Sequence, residues 1–323
     1  MRARDASFST ALGLATAALA WPPAAQAEAS DRARSTRQAT PIERALTGGL
    51  VTLRTPGSAM IRVVAGTFTQ GSTPEEIVLS IASCAHEPLG YRCNEQDFSN
   101  ERPRRTVRLG SYWLDRTEVT ADAYDRCAER GGCAPRPLEA GARRFAAKAL
   151  PATFVSARDA ETYCRTRGAR LPSESEFERA ARGTSGRRYP WGELYNGRLA
   201  NHGRVGLDSS DWTDGYSELA PVGSFPAGRT PDGFLDLAGN AAEWTRDTYS
   251  ERYDLPPDPA WGGARAVRGG SYASGGAWLR GAARSALSPE DRRPTVGFRC
   301  ARSFGDGEPT GEQVAPAGAQ AAP

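Results

Sequence analysis

Two short stretches of the chain alternate apolar and polar residues with the two-residue period of a half-buried strand, Met60 to Val64 and Thr106 to Leu114. Three others carry helix start and stop signals. Thr120 is placed to cap a helix that runs to about Glu129 and ends at Gly131-Gly132. Ser156 opens a second, reaching Arg167 before Gly168, with Ala157, Ala160 and Cys164 recurring at helical spacing. Ser173 and Glu176 form the capping box of a third, through Arg182. Beyond residue 190 the period fades, because Gly, Asp, Asn, Pro and Trp dominate, and mostly loop is predicted. The pattern predicts one loop-rich domain that holds both helices and strands. A domain this irregular needs pins such as disulfides or metal ions.

Composition narrows the chemistry. The 323 residues include 35 Gly and 23 Pro with only 39% apolar residues, which favours a loop-rich domain with disordered ends over a helical bundle. Lys148 is the one lysine among 41 basic residues, and 38 acidic residues are interspersed with them. A net charge of +3 without a basic stripe gives no case for a nucleic-acid partner. Two histidines exclude a His-rich metal centre, and no HExxH, P-loop, GxSxG or strand-following GxGxxG occurs. A Ser-His-Asp triad would have to use His86 or His202, each of which reads as a surface residue. Glu174, Glu176 and Glu178 read as first-turn acids favoured by the helix dipole.

The two ends read differently from the middle. Arg2 and Arg4 precede a small apolar run from Ala11 to Trp21, then Pro22-Pro23 and Ala25-Gln26-Ala27, the layout of a signal peptide over residues 1–27. That run is too short to cross a bilayer, and no other is long enough, so no membrane span is expected. Losing Arg2, Arg4 and Asp5 takes the charge from +3 to +2. The expectation is an exported protein, periplasmic or extracellular. Residues 28–58 read as a disordered linker, 59–302 as the domain, and 303–323 as a disordered tail. In an oxidising compartment the six cysteines are expected to pair, with 15 pairings open. Short separation favours Cys84 with Cys93 and Cys127 with Cys133; Cys164 and Cys300 remain, and a bridge between them would tie mid-chain to the domain's end.

Dense, irregular motifs carry most of the information. They are Gly66-Thr67-Phe68, Glu101-Arg102-Pro103, Asp115-x-x-Glu118-Val119-Thr120, Gly168-x-Arg170-Leu171-Pro172-Ser173-Glu174, Tyr189-Pro190-Trp191-Gly192, Asp236-Leu237-Ala238-Gly239-Asn240-Ala241-Ala242-Glu243-Trp244, Arg268-Gly269-Gly270-Ser271-Tyr272 and Gly297-Phe298-Arg299-Cys300. Arg170, Arg182, Arg268 and Arg299 stand beside turns whose carbonyls a planar guanidinium can bind several at a time. Trp191, Trp244 and Tyr272 offer the large buried area that a loop-rich core requires. In order and spacing, these motifs resemble the sulfatase-modifying-factor family, founded on the formylglycine-generating enzyme, across about residues 59–302. The resemblance implies an α+β fold, a single loop-rich mixed α/β domain of the formylglycine-generating-enzyme type with C-type-lectin-like topology.

It also implies a departure. The family's segment after Gly-Gly-Ser-Tyr carries two copper-binding cysteines that oxidise a substrate cysteine. Here the first aligns with Ser274, the second has no counterpart, and the segment is shorter. A hydroxyl is a poor ligand for cuprous ion, so copper and the oxidase chemistry are not expected. By resemblance, Cys164–Cys300 matches a family bridge. Calcium is expected at two sites carried over by position, one of Asn201, the His202 carbonyl, Asp214 and the Tyr216 carbonyl, the other of Asp236 and the carbonyls of Leu237, Gly239 and Ala241. The family's peptide cleft would here have a floor of Ser271, Ser274 and Gly275-Gly276 with exposed N–H groups, a Trp278 wall, and Arg280 and Arg284 nearby. The reading is a monomeric accessory module that binds an extended peptide, a protein or a glycan. Its alternatives are an enzyme using Ser271, Ser274 or Glu243, and a genuine formylglycine-generating oxidase.

Overall fold

A computed structural model describes residues 52–55, 58–87, 93–204, 213–304 and 313–314. The expected signal peptide lies outside them. In chain order the elements are β1 (Thr52–Thr55), β2 (Ser58–Val63), β3 (Gly66–Gln70), α1 (Pro74–Ala85), α2 (Gln96–Ser99), β4 (Arg105–Leu109), β5 (Tyr112–Asp115), α3 (Ala121–Glu129), α4 (Ala157–Thr166) and α5 (Glu174–Arg182). They continue with β6 (Ala242–Thr248), β7 (Arg265–Arg268), β8 (Arg284–Leu287), β9 (Val296–Gly297), β10 (Ala301–Ser303) and β11 (Gln313–Val314). Three small sheets result, with strand orders β1-β2-β5-β10, β11-β4-β3 and β8-β7-β6-β9. All pairings are antiparallel except β6 with β9.

The three capped helices form where their signals stand. Thr120, Ser156 and Ser173 each accept a hydrogen bond from the backbone three residues on. Helix α1 follows the same rule but lies outside the predicted elements: Thr73 and Glu76 make a capping box with Pro74 at the first helical position. The stretch Thr106 to Leu114 is two strands of different sheets, divided at Gly110-Ser111, where the Ser111 hydroxyl accepts from the Ala65 N–H at 3.0 Å. The third sheet occupies part of the region predicted as mostly loop. Its strands span only two to seven residues, and β6 is irregular between Trp244 and Thr248, so no period could emerge. Strand β1 falls inside the expected linker. Ser303 and β11 fall inside the expected tail, where Phe304 also stacks on Trp113 with ring centroids 5.7 Å apart. Ordered structure therefore extends past both expected domain limits.

Helix α5 is the pivot, packing on β3, β4, β6 and β7. Phe177, Ala180 and Ala181 join Phe68, Leu114 and Phe234 in one core cluster. A second joins α3 and α4 to the third sheet through Tyr124, Tyr163, Trp244 and Phe298. Each such large apolar side chain contributes about 1.5–3 kcal/mol on full burial. Glu174 and Glu176 stand in the first turn of α5 as expected, Glu178 lies beyond it, and all three are also buried in ion pairs that the sequence reading did not foresee. Glu174 forks onto Arg284 at 2.7 Å on both oxygens, Glu176 onto Arg170 at 2.6 Å, and Glu178 meets Arg268 at 2.6 Å. Buried arginines also bind loop carbonyls as expected. Arg299 donates to the carbonyls of Asp115, Arg116, Leu235 and Asp236 as well as to Glu243. The three disulfides are the expected pairs, with Cα–Cα distances of 6.2, 5.4 and 5.6 Å for Cys84–Cys93, Cys127–Cys133 and Cys164–Cys300.

Candidate functional site

Strand β7 ends at Gly269-Gly270, and the turn that follows builds the cleft. Gly270 has φ +66°, and a Cβ there would lie 2.7 Å from the Trp278 carbonyl, so only glycine lets the two segments approach. The turn closes on itself. Ser271 N–H donates to Ser274 Oγ at 3.0 Å, Ala273 N–H to Ser271 Oγ at 3.2 Å, and Ser274 N–H to the Ser271 carbonyl at 2.9 Å. Outside contacts hold it down, from Gly203 N–H to the Ser274 carbonyl at 3.0 Å and from Tyr272 N–H to the Asn240 carbonyl at 2.9 Å.

Ser271, Ser274 and Trp278 line one cleft of about 160 Å³. Ser285 and Thr295 add hydroxyls, while Val267 and Leu287 add apolar wall. Trp278 is half-buried, its ring centroid 5.5 Å from that of Phe98, so it both packs and faces the cleft. Val267 comes from β7, two residues before Gly269, whereas Ser285, Leu287 and Thr295 come from β8 and the segment before β9, 14 or more residues beyond Ser271, where no local signal marks them.

Several expected cleft groups are elsewhere or spoken for. Arg280 is buried and forks onto Glu101 at 2.8 and 2.5 Å. Arg284 touches the cleft but is buried, bound to Glu174 and to the carbonyls of Asn100 and Ser250. Neither guanidinium is a spare donor, because each neutralises a buried carboxylate. Gly275 and Gly276 are buried too, and the Gly276 N–H donates to Glu87 Oε1 at 2.8 Å. Glu243 is fully buried and clamped by Arg299 at 2.6 and 2.7 Å, so it is a structural anchor.

Among the described residues, neither cleft serine is hydrogen-bonded to a histidine or a carboxylate. Their hydroxyls sit 3.4 Å apart, and their described partners are backbone N–H groups and each other. His86 and His202 line a separate cavity of about 580 Å³ with Glu87 and Tyr195. Every cysteine of the chain is in a disulfide, so the cleft holds no thiol.

The oxygens expected to bind calcium form two groups. Asp214 accepts from the N–H groups of His202 at 2.6 Å and Tyr216 at 2.8 Å, the second closing an Asx-turn. Asn201 donates through Nδ2 to the Glu218 carbonyl and to Asn240, while its Oδ1 is buried with no hydrogen-bond partner. In the second group Asp236, at φ +55°, accepts from the Gly223 N–H at 2.6 Å. Glu118 joins Asp236 there, which the sequence reading did not foresee although its acid stands in the Asp115-x-x-Glu118 motif. One of its oxygens accepts from Asn240 Nδ2 at 2.9 Å; the other is buried without a partner. Burial, with the charges of Asp236 and Glu243 beside it, pushes the Glu118 carboxyl well above the ordinary carboxylate range. Burial likewise raises Asp236. The carboxylates of Glu118, Asp236 and Glu243 thus share the field of the Arg299 guanidinium, which Glu243 alone of them contacts, and Arg116 also acts on Asp236.

A sequence profile of the sulfatase-modifying factor enzyme 1-like domain matches residues 50–304. The inactive C-alpha-formylglycine-generating enzyme 2 of Mus musculus is 39% identical over 163 residues, covering 48% of this chain and 50% of that protein. The formylglycine-generating enzyme of Streptomyces coelicolor is 37% identical over 173 residues, covering 47% and 52%. The chain spans about half the length of these relatives. Among solved structures, PvdO from Pseudomonas aeruginosa superposes with a TM-score of 0.58 at 25% identity, over 76% of this chain and 95% of that one.

Proposed function

Because the chain belongs to the sulfatase-modifying factor family yet carries Ser274 where the family's first active cysteine aligns, we propose that it is an exported, monomeric binding module without copper-dependent oxidase chemistry. Its cleft captures one unit of an extended peptide or glycan. The chemistry of the cleft wall carries this reading. Hydroxyls and one indole face a space with no thiol and no general base. At about 160 Å³ that space is below the roughly 300–1,000 Å³ of a whole small-molecule site, so it suits one side chain or one ring of a longer ligand. One relative is named inactive and another as the enzyme, at 39% and 37% identity, so overall similarity does not choose between them; Ser274 is what supports the reading without oxidase chemistry. Three disulfides support an oxidising compartment, and among the described residues no helix is long and apolar enough to cross a membrane.

Calcium is part of the same proposal. The partnerless Oδ1 of Asn201 with the Asp214 carboxylate, and Glu118 with Asp236, are hard oxygen donors of the kind the ion selects. At the second group a divalent cation would displace the protons that burial favours on Glu118 and Asp236 and neutralise their carboxylates instead. Bound there, calcium supplies fixed positive charge that ties the loop segments together.

Peptide and glycan arrays probed with wild type, Ser274→Trp and Trp278→Ala test the proposal, alongside copper titration and turnover of a cysteine-containing peptide. Wild type is expected to capture a discrete set of ligands and to turn over none. Ser274→Trp, which fills the cleft, should abolish capture while leaving the melting temperature near wild type. Copper-dependent oxidation of the peptide by wild type would overturn the proposal.

A further inference from the structure

Helices α3 and α4 together line a groove that the binding proposal does not use. Ala123, Arg126, Cys127 and Arg130 recur at positions i, i+3, i+4 and i+7 and so share one face of α3 and its C-cap. Tyr163, Thr166 and Arg167 share one face of α4 and its C-cap at i, i+3 and i+4. These two faces, together with Gly132, line a cavity of about 470 Å³. Its floor is apolar, being the Ala123 methyl, the Cys127–Cys133 bridge and the buried Tyr163 ring. Its walls carry three guanidiniums, and none of the lining residues is acidic.

The charge on α3 is sorted by face. Asp122, Asp125 and Glu129 lie at i, i+3 and i+7 on a different side of the helix from Arg130. Arg126 is partly neutralised by Asp122, and Arg167 by Asp115 at 2.9 and 3.0 Å. Arg130 is exposed and makes no ion pair among the described residues. The groove therefore keeps an uncompensated positive charge beside an apolar floor. Its volume falls in the range of small-molecule sites, larger than an inorganic ion needs.

We propose that this groove is a binding site for a small organic oxyanion, an apolar or aromatic body on the disulfide and Tyr163 floor with a sulfate, phosphate or carboxylate head at Arg130 and Arg126. The fork geometry of guanidinium suits any of these heads, so the head group is left to experiment. Binding of 4-nitrophenyl sulfate, 4-nitrophenyl phosphate and 4-nitrobenzoate to the full chain, followed by calorimetry and by the NMR signals of the arginine Nε–H groups, tests it. At least one should bind and shift the Arg126 and Arg130 signals. Neutral 4-nitrobenzyl alcohol should bind more weakly by about tenfold or more, as loss of a charge-assisted contact predicts. Arg130→Glu should weaken binding by a similar factor with an unchanged melting temperature, and Arg126→Ala should weaken it in the same direction. Equal binding of the neutral analogue, undiminished binding by both variants, or binding of heparin with none of the three small anions would each overturn the proposal.

Discussion

Glu101 and Arg280 are separated by 179 residues and meet in a two-pronged ion pair at 2.5 and 2.8 Å, both buried. The Ser72 hydroxyl also donates to Glu101 at 2.5 Å, and Arg280 lies over the Phe98 ring at 5.0 Å. The pair fastens the segment after α2 to the segment after Trp278. Breaking it strands a buried charge, so Arg280→Met alone should cost about 3–5 kcal/mol in urea unfolding. Adding Glu101→Leu to it should restore most of that loss. A single variant that unfolds at the wild-type midpoint would contradict this.

Acid should unfold the protein through the same class of contact. Burial alone would raise Glu101 and Glu174, but the opposing charges of Arg280 on the first, and of Arg284 and Arg268 on the second, outweigh it and hold both carboxyls below their usual range. Between the lowered folded value and the ordinary value the unfolded chain therefore binds more protons. The contribution is complete above the ordinary carboxylate range and is lost as pH falls through the folded values. The share of stability carried by Glu101 and Glu174 should hold steady from pH 7 to about 5.5 and be lost below about 4.5. The raised Glu118 and Asp236 carboxyls add stability as pH falls from 7, so the urea midpoint should decline only below about 4.5. A midpoint that rises on acidification below that point contradicts the assignment.

The Cys164–Cys300 bridge closes a separation of 136 residues, which the chain-entropy model values at about 5 kcal/mol. The Cys127–Cys133 bridge, with a separation of 6, comes to about 2 kcal/mol on the same basis. Paired Cys→Ala replacement at each should reproduce that order in thermal unfolding. Equal losses would show that loop length is not the controlling factor.

Chelation should lower the melting temperature, and calcium should restore it where magnesium does not, because magnesium resists such irregular oxygen sets. Asp214→Ala should reduce the calcium-dependent increment, and so should Glu118→Gln. An identical melting temperature in excess chelator and in saturating calcium removes calcium from the description.

Ser274→Cys places a thiol in the cleft without restoring the missing second one. Since Ser274 is half-buried and lines open space, that thiol should react with maleimide in the folded state, and modification should block ligand capture. No reaction short of unfolding would mean that the cleft is closed.

The legible parts of this fold are those written locally. Thr120, Ser156 and Ser173 announce their helices within four residues, and the short Cys84–Cys93 and Cys127–Cys133 separations announce their bridges. Family resemblance adds the long bridge and the place of Ser271 and Ser274 in the cleft. The fate of the arginines stays hidden because their partners are remote: Arg284 finds Glu174 across 110 residues and Arg299 finds Glu243 across 56. An Arg beside a cleft motif looks like a ligand donor until its carboxylate is located. Glu87 on Gly276, 189 residues away, hides the expected backbone donors for the same reason.

Strand β5 receives its second neighbour only from β10, at residues 301–303. On a ribosome adding about 5–20 residues per second, the emerging chain holds that edge unpaired for roughly 10–40 s before the closing strand exists. Throughout that interval Tyr112 and Leu114, buried in the finished protein, lack part of their cover. Truncations just short of residue 300 should therefore leave an open sheet edge and aggregate rather than yield smaller folded cores.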